Sequence, residues 1–373
     1  MNNKDKEIAQ KEIVDSLPLK PHGSLILSPR LGKTKIVLDI IKKNKPKSIL
    51  WVTPLSDLAD IEIPKEFETW KAKAYLKKLT TTTWASLSKL TGHFEVIILD
   101  EEQYATENNL SGLLNKTLTS DYIISMTGTE SRSQVKQDLY ARLNLGLLYE
   151  YDLNEAVDAN LLADYTINVV KIPMSKERNI PAGSKENPFL TTEEKQYEYL
   201  SSQVQKAIMS KRKDAMFRIL ARLRAIKNSP AKAKISNYLF NNLEGRVLCF
   251  SPSIEAAEKL SHQTYHSKTD NTYLRQFIDE EIDKLSLVNA GGTGVTYKNI
   301  NHLIVTQADK DDNGLTSQKI TRTLLHQGED YKAVIWILCL EGTQDEKWVE
   351  STLQRFNREK VNYISTETVS TWN

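Results

Sequence analysis

Apolar residues in this 373-residue chain gather into short continuous runs, and between the runs they recur at helical spacing. In the first half the runs are GSLILS (23–28), SILWVTP (48–54), the Thr-rich KLTTTTWASL (78–87), FEVIILDEEQ (94–103) and DYIISMTGT (121–129). The pattern then returns as GRVLCFSP (245–252), DKLSLVNA (283–290), NHLIVTQA (301–308) and AVIWILCL (333–340). Strands alternating with helical stretches predict parallel sheets, and unbroken apolar runs such as Val96 to Leu99 predict sheets covered on both faces. Ligands of such sheets lie beyond the carboxyl ends of the strands, the edge to which Lys33, Thr53, Asp100 and Thr127 all fall.

Three stretches have a helical reading. IAQKEIVDSLP carries Ile8, Ile13, Val14 and Leu17, which suits an amphipathic helix ending before Pro18. A second helical pattern follows Gly32-Lys33-Thr34. The third is a long segment over 191–242, in which Ile208, Met216, Ile219, Leu220, Leu223 and Ile226 keep an apolar stripe with Lys211, Arg218 and Arg222 off it. NIPAGSKENP, just before that segment, reads as a loop or linker.

Composition sharpens this picture at one place. The length suits two domains, and 26% charged with 40% hydrophobic residues is globular rather than disordered. The formal net charge is only +2, yet Gln203–Lys234 holds ten Lys or Arg against one acid, leaving −7 for the rest. A positive band on a mildly acidic body is a nucleic-acid footprint, although a charge run is also a common solvated helix face. Cys249 and Cys339 sit in apolar runs, as core residues of a reducing compartment would. The six histidines lack metal-ligand spacing, and no run of about 18 apolar residues occurs, so a soluble, intracellular protein is expected.

The candidate chemistry lies at two strand ends. Where the first strand hands over to a helix, Gly32, Lys33 and Thr34 place backbone N–H groups, an ammonium and a hydroxyl where an anion with Mg²⁺ could sit. This is half of a P-loop, because the position five before Gly32 is Leu27 and not glycine; a capped surface turn shares the pattern. In VIILDEEQ, Asp100 and Glu101 leave a buried strand together, suited to hold Mg²⁺ and to orient an attacking water, or to cap the next helix.

With these segments in view the chain resembles the superfamily 2 helicases and translocases, in particular compact phage-type DNA helicases with a DExx box, here DEEQ. SPRLGKT resembles motif I, WVTPLSDL motif Ia, TTTTWASL motif Ib, ILDEEQ motif II and SMTGTES motif III. VLCFSPSIEAAEKL resembles motif IV, LVNAGGTGVTYKNI motif V and QKITR motif VI, in family order. The resemblance implies an α/β protein of two tandem RecA-like parallel-sheet domains with a helical, basic connecting segment. Its expected boundaries are 1–172 for the first domain, 173–242 for the connection and 243–373 for the second domain.

The resemblance also implies roles. Gly32, Lys33, Thr34 and Gly294 would bind ATP phosphates, Gln10 would read adenine, and Thr34 with Asp100 would hold Mg²⁺. Glu101 would orient the hydrolytic water, and Thr127 and Thr129 would couple the γ-phosphate state to domain closure. From the second half, Gln318 and Arg322 would serve catalysis, Arg322 as arginine finger; Thr321 and Leu325 depart from the family pattern, which has Gly and a second Arg there. Thr53, Thr83, Ser251, Lys268 and Thr293 would contact nucleic acid, mainly through phosphates and without sequence preference. Trp51, Trp84 and Trp336 are either stacking platforms or core.

The reading these expectations support is an ATP- and Mg²⁺-dependent helicase or translocase acting on single-stranded or forked DNA. It would be monomeric, cytoplasmic (the host's cytoplasm if phage-encoded) and without a membrane partner. The alternatives are an RNA helicase, a nucleic-acid clamp on the same scaffold with little ATP turnover, or an ATP-driven subunit of a larger machine such as a restriction or packaging complex, which the chain's size and lack of nuclease or methylase motifs disfavour.

Overall fold

The computed structural model describes residues 3–56, 58–114, 117–128, 131, 133–288, 297, 299–310, 315–321, 323–324 and 331–370. The chain divides into two compact units, Met1–Ala163 with Asp312–Thr321 and Asp164–Asp311 with Arg322–Asn373.

The first unit is built on β1 (Gly23–Leu27), β2 (Ile49–Thr53), β3 (Leu79–Thr83), β4 (Gly92–Asp100), β5 (Leu118–Thr127) and β6 (Leu147–Tyr151), in the order β3-β2-β4-β5-β1-β6. All of these pairings are parallel. One face packs Leu50, Val52, Ile97, Leu99 and Ile123 against Leu110, Leu139 and Tyr140. Trp51 points the other way and meets the Phe67 ring edge-on, 5.8 Å between centroids. The helix Lys33–Asn44 buries Ile36, Val37, Ile40 and Ile41 and ends where Lys45 turns left-handed and donates its N–H to Ile41 O. Lys43 Nζ reaches from its last turn to the carbonyls of Val14 and Leu17, both at 2.9 Å. These belong to the end of the helix Asn3–Ser16, so a lysine satisfies acceptors that no intrahelical N–H can reach.

The second unit contains β7 (Asp164–Ile172), β8 (Ile180–Gly183), β9 (Pro188–Thr191), β10 (Val247–Phe250), β11 (Thr264–Tyr265), β12 (Lys284–Leu287), β13 (His302–Val305), β14 (Lys332–Leu340) and β15 (Val361–Ser365). Seven of them form a parallel sheet, β11-β12-β10-β13-β14-β7-β15, and β8 and β9 a separate antiparallel hairpin. Val170, Ile172, Val247, Cys249, Ile304, Trp336 and Leu338 build its core with Leu239 and Phe240. The expected tandem parallel-sheet α/β architecture is therefore the one observed.

Three expectations need correction. The first unit ends at Ala163 and not at 172, because β7 pairs along its whole length with β14 and on its other side with β15. The segment 191–242 is three helices, Glu193–Met209, Ala215–Lys227 and Pro230–Asn242. Asp214 closes the first break by accepting from Arg212 and Arg218, and Ser229 caps the third helix with Pro230 at its first position. Finally, the apolar stripe is not a core stripe: Ile226 is buried, but Ile208, Met216 and Leu220 are exposed, as is Ile8 in the N-terminal helix.

Candidate functional site

The first loop is shaped by one residue. Gly32 caps the helix Lys33–Asn44 at φ 87°, ψ 52°, the left-handed region that favours glycine. A Cβ built there would stand 2.5 Å from Gln10 Nε2, so a side chain at this position would displace the Gln10 amide. Gln10 itself is buried and donates Nε2 to Leu31 O at 2.7 Å. Its amide thus braces the loop from behind. Ser28 Oγ in the same loop is buried without a partner among the described residues.

Three strand ends converge on Lys33. Its ammonium lies 3.0 Å from Glu101 Oε1, and a Cβ built on Gly128 would be 3.5 Å from it. Glu101 Oε2 accepts from Gln103 Nε2 at 2.6 Å, and Gln103 Oε1 accepts from Thr127 Oγ1 at 2.7 Å. A continuous polar chain Lys33–Glu101–Gln103–Thr127 therefore links the GKT, DEEQ and SMT segments. Ser125, two residues before Thr127 on the same face of β5, donates to Glu102, and Lys136 Nζ donates to Gln103 O at 3.1 Å. Burial lowers the Lys136 pKa.

Asp100 is held from both sides of its strand. Trp51 Nε1 donates to its Oδ2 at 3.4 Å, and Trp84 Nε1 to its carbonyl oxygen at 3.1 Å. Both indoles are core residues whose N–H groups find a partner at the site, and Trp336 is core as well. Burial, with Glu101 beside it, raises the Asp100 carboxyl to about 7 against the opposing pull of Lys33 and the Trp51 indole. Thr34, half-buried, follows Lys33 in the first turn of the helix.

The nucleic-acid candidates divide between the units. Thr53 and Thr83 are register partners at the carboxyl ends of β2 and β3, and the buried Thr53 hydroxyl has no partner among the described residues. In the second unit Ser251 follows β10 and shares a hydrogen bond with Ser286, 2.8 Å between hydroxyl oxygens. Ser251 lines a cavity of about 320 Å³ with Thr306, Ser253, Lys227, Lys232 and Lys259. Lys268 is exposed on the turn after β11, a turn closed by Thr269 bonding to His266. Gln318 is nearly buried on the helix Leu315–Thr321, which groups with the first unit. Thr129, Thr293, Gly294 and Arg322 lie outside the described residues.

The residues that sequence reasoning missed are Gln103, Glu102, Ser125 and Lys136. Gln103 closes the DEEQ segment and could have been read with it, since any polar residue just after a buried strand sits at the sheet edge. Ser125 was legible from its two-residue offset from Thr127. Lys136 carried no such signal, because it arrives from a helix, Gln134–Arg142.

No protein-family description matches the sequence, and no curated protein does. Among solved structures, an ATP-dependent Type ISP restriction-modification enzyme, LlaBIII, bound to DNA, superposes with a TM-score of 0.60 at 13% identity. The match covers 98% of this chain and 32% of that one, so the chain spans about a third of that enzyme's length. The helicase domain of Pyrococcus furiosus Hef gives a TM-score of 0.48 at 13% identity over 93% of this chain and 97% of that one. Similarity at this identity is one of fold, that of two parallel-sheet α/β units following one another along the chain.

Proposed function

We propose that this chain is an ATP-dependent motor of the superfamily 2 helicase type that moves along a nucleic-acid strand, with DNA as its track. The observation that carries this reading is the polar chain Lys33–Glu101–Gln103–Thr127, which joins three sequence segments at one sheet edge. The residues fit a nucleoside triphosphate with Mg²⁺. Gly32 has the left-handed backbone of an anion-binding turn, Ser28 Oγ is a buried hydroxyl with no partner among the described residues, and Asp100 is a carboxyl whose ionisation a cation would favour. When bound, the triphosphate with its metal supplies the scissile phosphoanhydride and neutralises charge on the phosphoryl oxygens. Lys33 offers a point charge to phosphates, Thr34 and Asp100 oxygens to the metal, and Glu101 an acceptor for a water proton. Gln103 holds the Glu101 carboxylate on one side, so the state of that carboxylate is tied to Thr127 on the neighbouring strand.

DNA as the track rests on the basic band of Gln203–Lys234 and on a fold shared with an enzyme described as bound to DNA. The test is the ATPase rate of wild type and Lys33→Ala, titrated with single-stranded DNA, duplex, forked DNA and RNA at two salt concentrations. Stimulation by one polymer, lost in Lys33→Ala while DNA binding persists, is expected. Turnover retained by Lys33→Ala would remove the site assignment. A near-zero rate with all four polymers would refute the motor and leave a nucleic-acid clamp on this scaffold.

A further inference from the structure

The helices Glu193–Met209 and Ala215–Lys227 pack on each other, and the turn between them exposes side chains that a core or a plain solvated face would not. Met209 is 84% exposed, Met216 64% and Phe217 75%, with Ile208 exposed beside them. The turn is nevertheless well held. Arg212 grips Asp214 through Nε at 2.9 Å and a second nitrogen at 3.0 Å, Arg218 Nε reaches the same carboxylate at 2.9 Å, and Arg218 also bonds Gln203 on the first helix. One carboxylate thus serves two guanidinium groups, and Lys206, Lys211 and Lys213 stand exposed around the apolar residues. The first helix has 17 residues, so the turn stands about 25 Å from that helix's start.

Building on the reading of the chain as a nucleic-acid motor, we propose that this turn is a nucleic-acid contact: the lysines hold phosphates while Phe217, Met216 and Met209 pack against bases. The charge favours this occupant over a protein. Within Gln203–Lys234 the sole acid is Asp214, already shared by two arginines, whereas protein interfaces are depleted of lysine around their apolar core. Bases flanked by phosphates present the complementary surface: apolar faces for an aromatic ring and methionines, with negative charge at the spacing of the chain. Apolar wedges of this kind unstack base steps, so a fork, where one base pair is already open, is the preferred form.

The experiment is fluorescence anisotropy of labelled forked, single-stranded and duplex DNA at several salt concentrations, with the full chain. The variants are Met216→Ser/Phe217→Ser and Lys211→Gln/Lys213→Gln, all at exposed positions, with thermal melts as a check on folding. The apolar variant is expected to weaken fork binding about tenfold or more with an unchanged salt slope. The lysine variant is expected to flatten the slope of log K against log salt by about 2. Fork affinity of the apolar variant equal to wild type overturns the proposal and leaves a protein partner for the turn, with the motor reading intact. A wild-type chain that binds none of the DNAs overturns both.

Discussion

Gln103 and Thr127 form the hinge of the polar chain, and a double-mutant cycle on this pair measures what it contributes. Thr127 is fully buried and Gln103 nearly so, with 2.7 Å between the hydroxyl and the side-chain carbonyl. Thr127→Val keeps the volume and removes the donor, leaving a buried carbonyl oxygen short of it at a cost of about 1–3 kcal/mol. Gln103→Leu removes the acceptor and strips Glu101 of the amide that holds its Oε2. The double variant leaves neither side of this bond unpaired, so its destabilisation should fall short of the sum by about 0.5–3 kcal/mol. Urea unfolding of the four proteins gives the coupling energy, and ATPase rates with and without DNA give its functional counterpart. Gln103→Leu should reduce the DNA-stimulated rate more than the basal rate, because it disconnects Glu101 from the strand that carries Thr127. Effects that add within about 0.5 kcal/mol, together with an unchanged ratio of stimulated to basal rate, would refute the claim that this chain of bonds links the strands.

Two further outcomes follow from buried charge. In metal- and nucleotide-free protein, Asp100→Asn should raise the melting temperature. The unfolded carboxyl ionises near 3.8 and the folded one only near 7, so wild-type stability falls as pH rises through that window. The gain should be largest above pH 7 and vanish near pH 4; its ceiling is about 4 kcal/mol, lowered by the residue's partial exposure. A gain that is flat across pH 4–8 would contradict the assigned ionisation. In the second unit, Lys232 Nζ lies 2.7 Å from Asp345 Oδ2 and 2.9 Å from Gln307 Oε1, all buried. Lys232→Met should cost about 3–5 kcal/mol by leaving Asp345 unpaired, and Asp345→Asn in that background should recover part of it; no recovery would rule out unpaired charge as the cause.

The architecture was legible because fully buried parallel strands write themselves as apolar runs: Leu50–Val52, Val96–Leu99 and Ile335–Leu340 are buried as their sequence demands, Trp51 and Trp336 included. β7 escaped notice because DYTINVVKI falls at the end of the stretch 1–172 assigned to the first domain, and only pairing with β14 and β15 reveals its sheet. The helical segment was legible as helix, but what covers its apolar stripe was not. Periodicity predicts a face and not its cover, and the face bearing Met216 and Phe217 has none within its own pair of helices. At the site, the placing of Lys33, Asp100, Glu101 and Thr127 at one sheet edge was readable from their positions after strands, whereas the contact that Gln10 makes was not. Sequence presented Gln10 as an adenine reader, and the structure turns its amide onto Leu31 O.

Glu101 shows why the site needed three dimensions. Its backbone is left-handed at φ 49°, ψ 55°, a conformation that costs a residue with a side chain about 1–2 kcal/mol. A residue continuing β4 would point away from the strand's previous side chain and leave the next two pointing to alternate faces. The left-handed step instead ends the strand and starts the short 3-10 turn Glu102–Tyr104. Within three residues, Glu101 reaches Lys33, Glu102 reaches Ser125 and Gln103 reaches Thr127. The strain is offset by the charged contact to Lys33 and the amide of Gln103, both of which would be lost if Glu101 relaxed to an extended conformation. Whatever competes for Lys33, as a phosphate would, removes one of those two supports. A ligand taken up by the first loop would on this geometry be expected to reach the turn that carries Gln103 to Thr127, through residues that are already in contact.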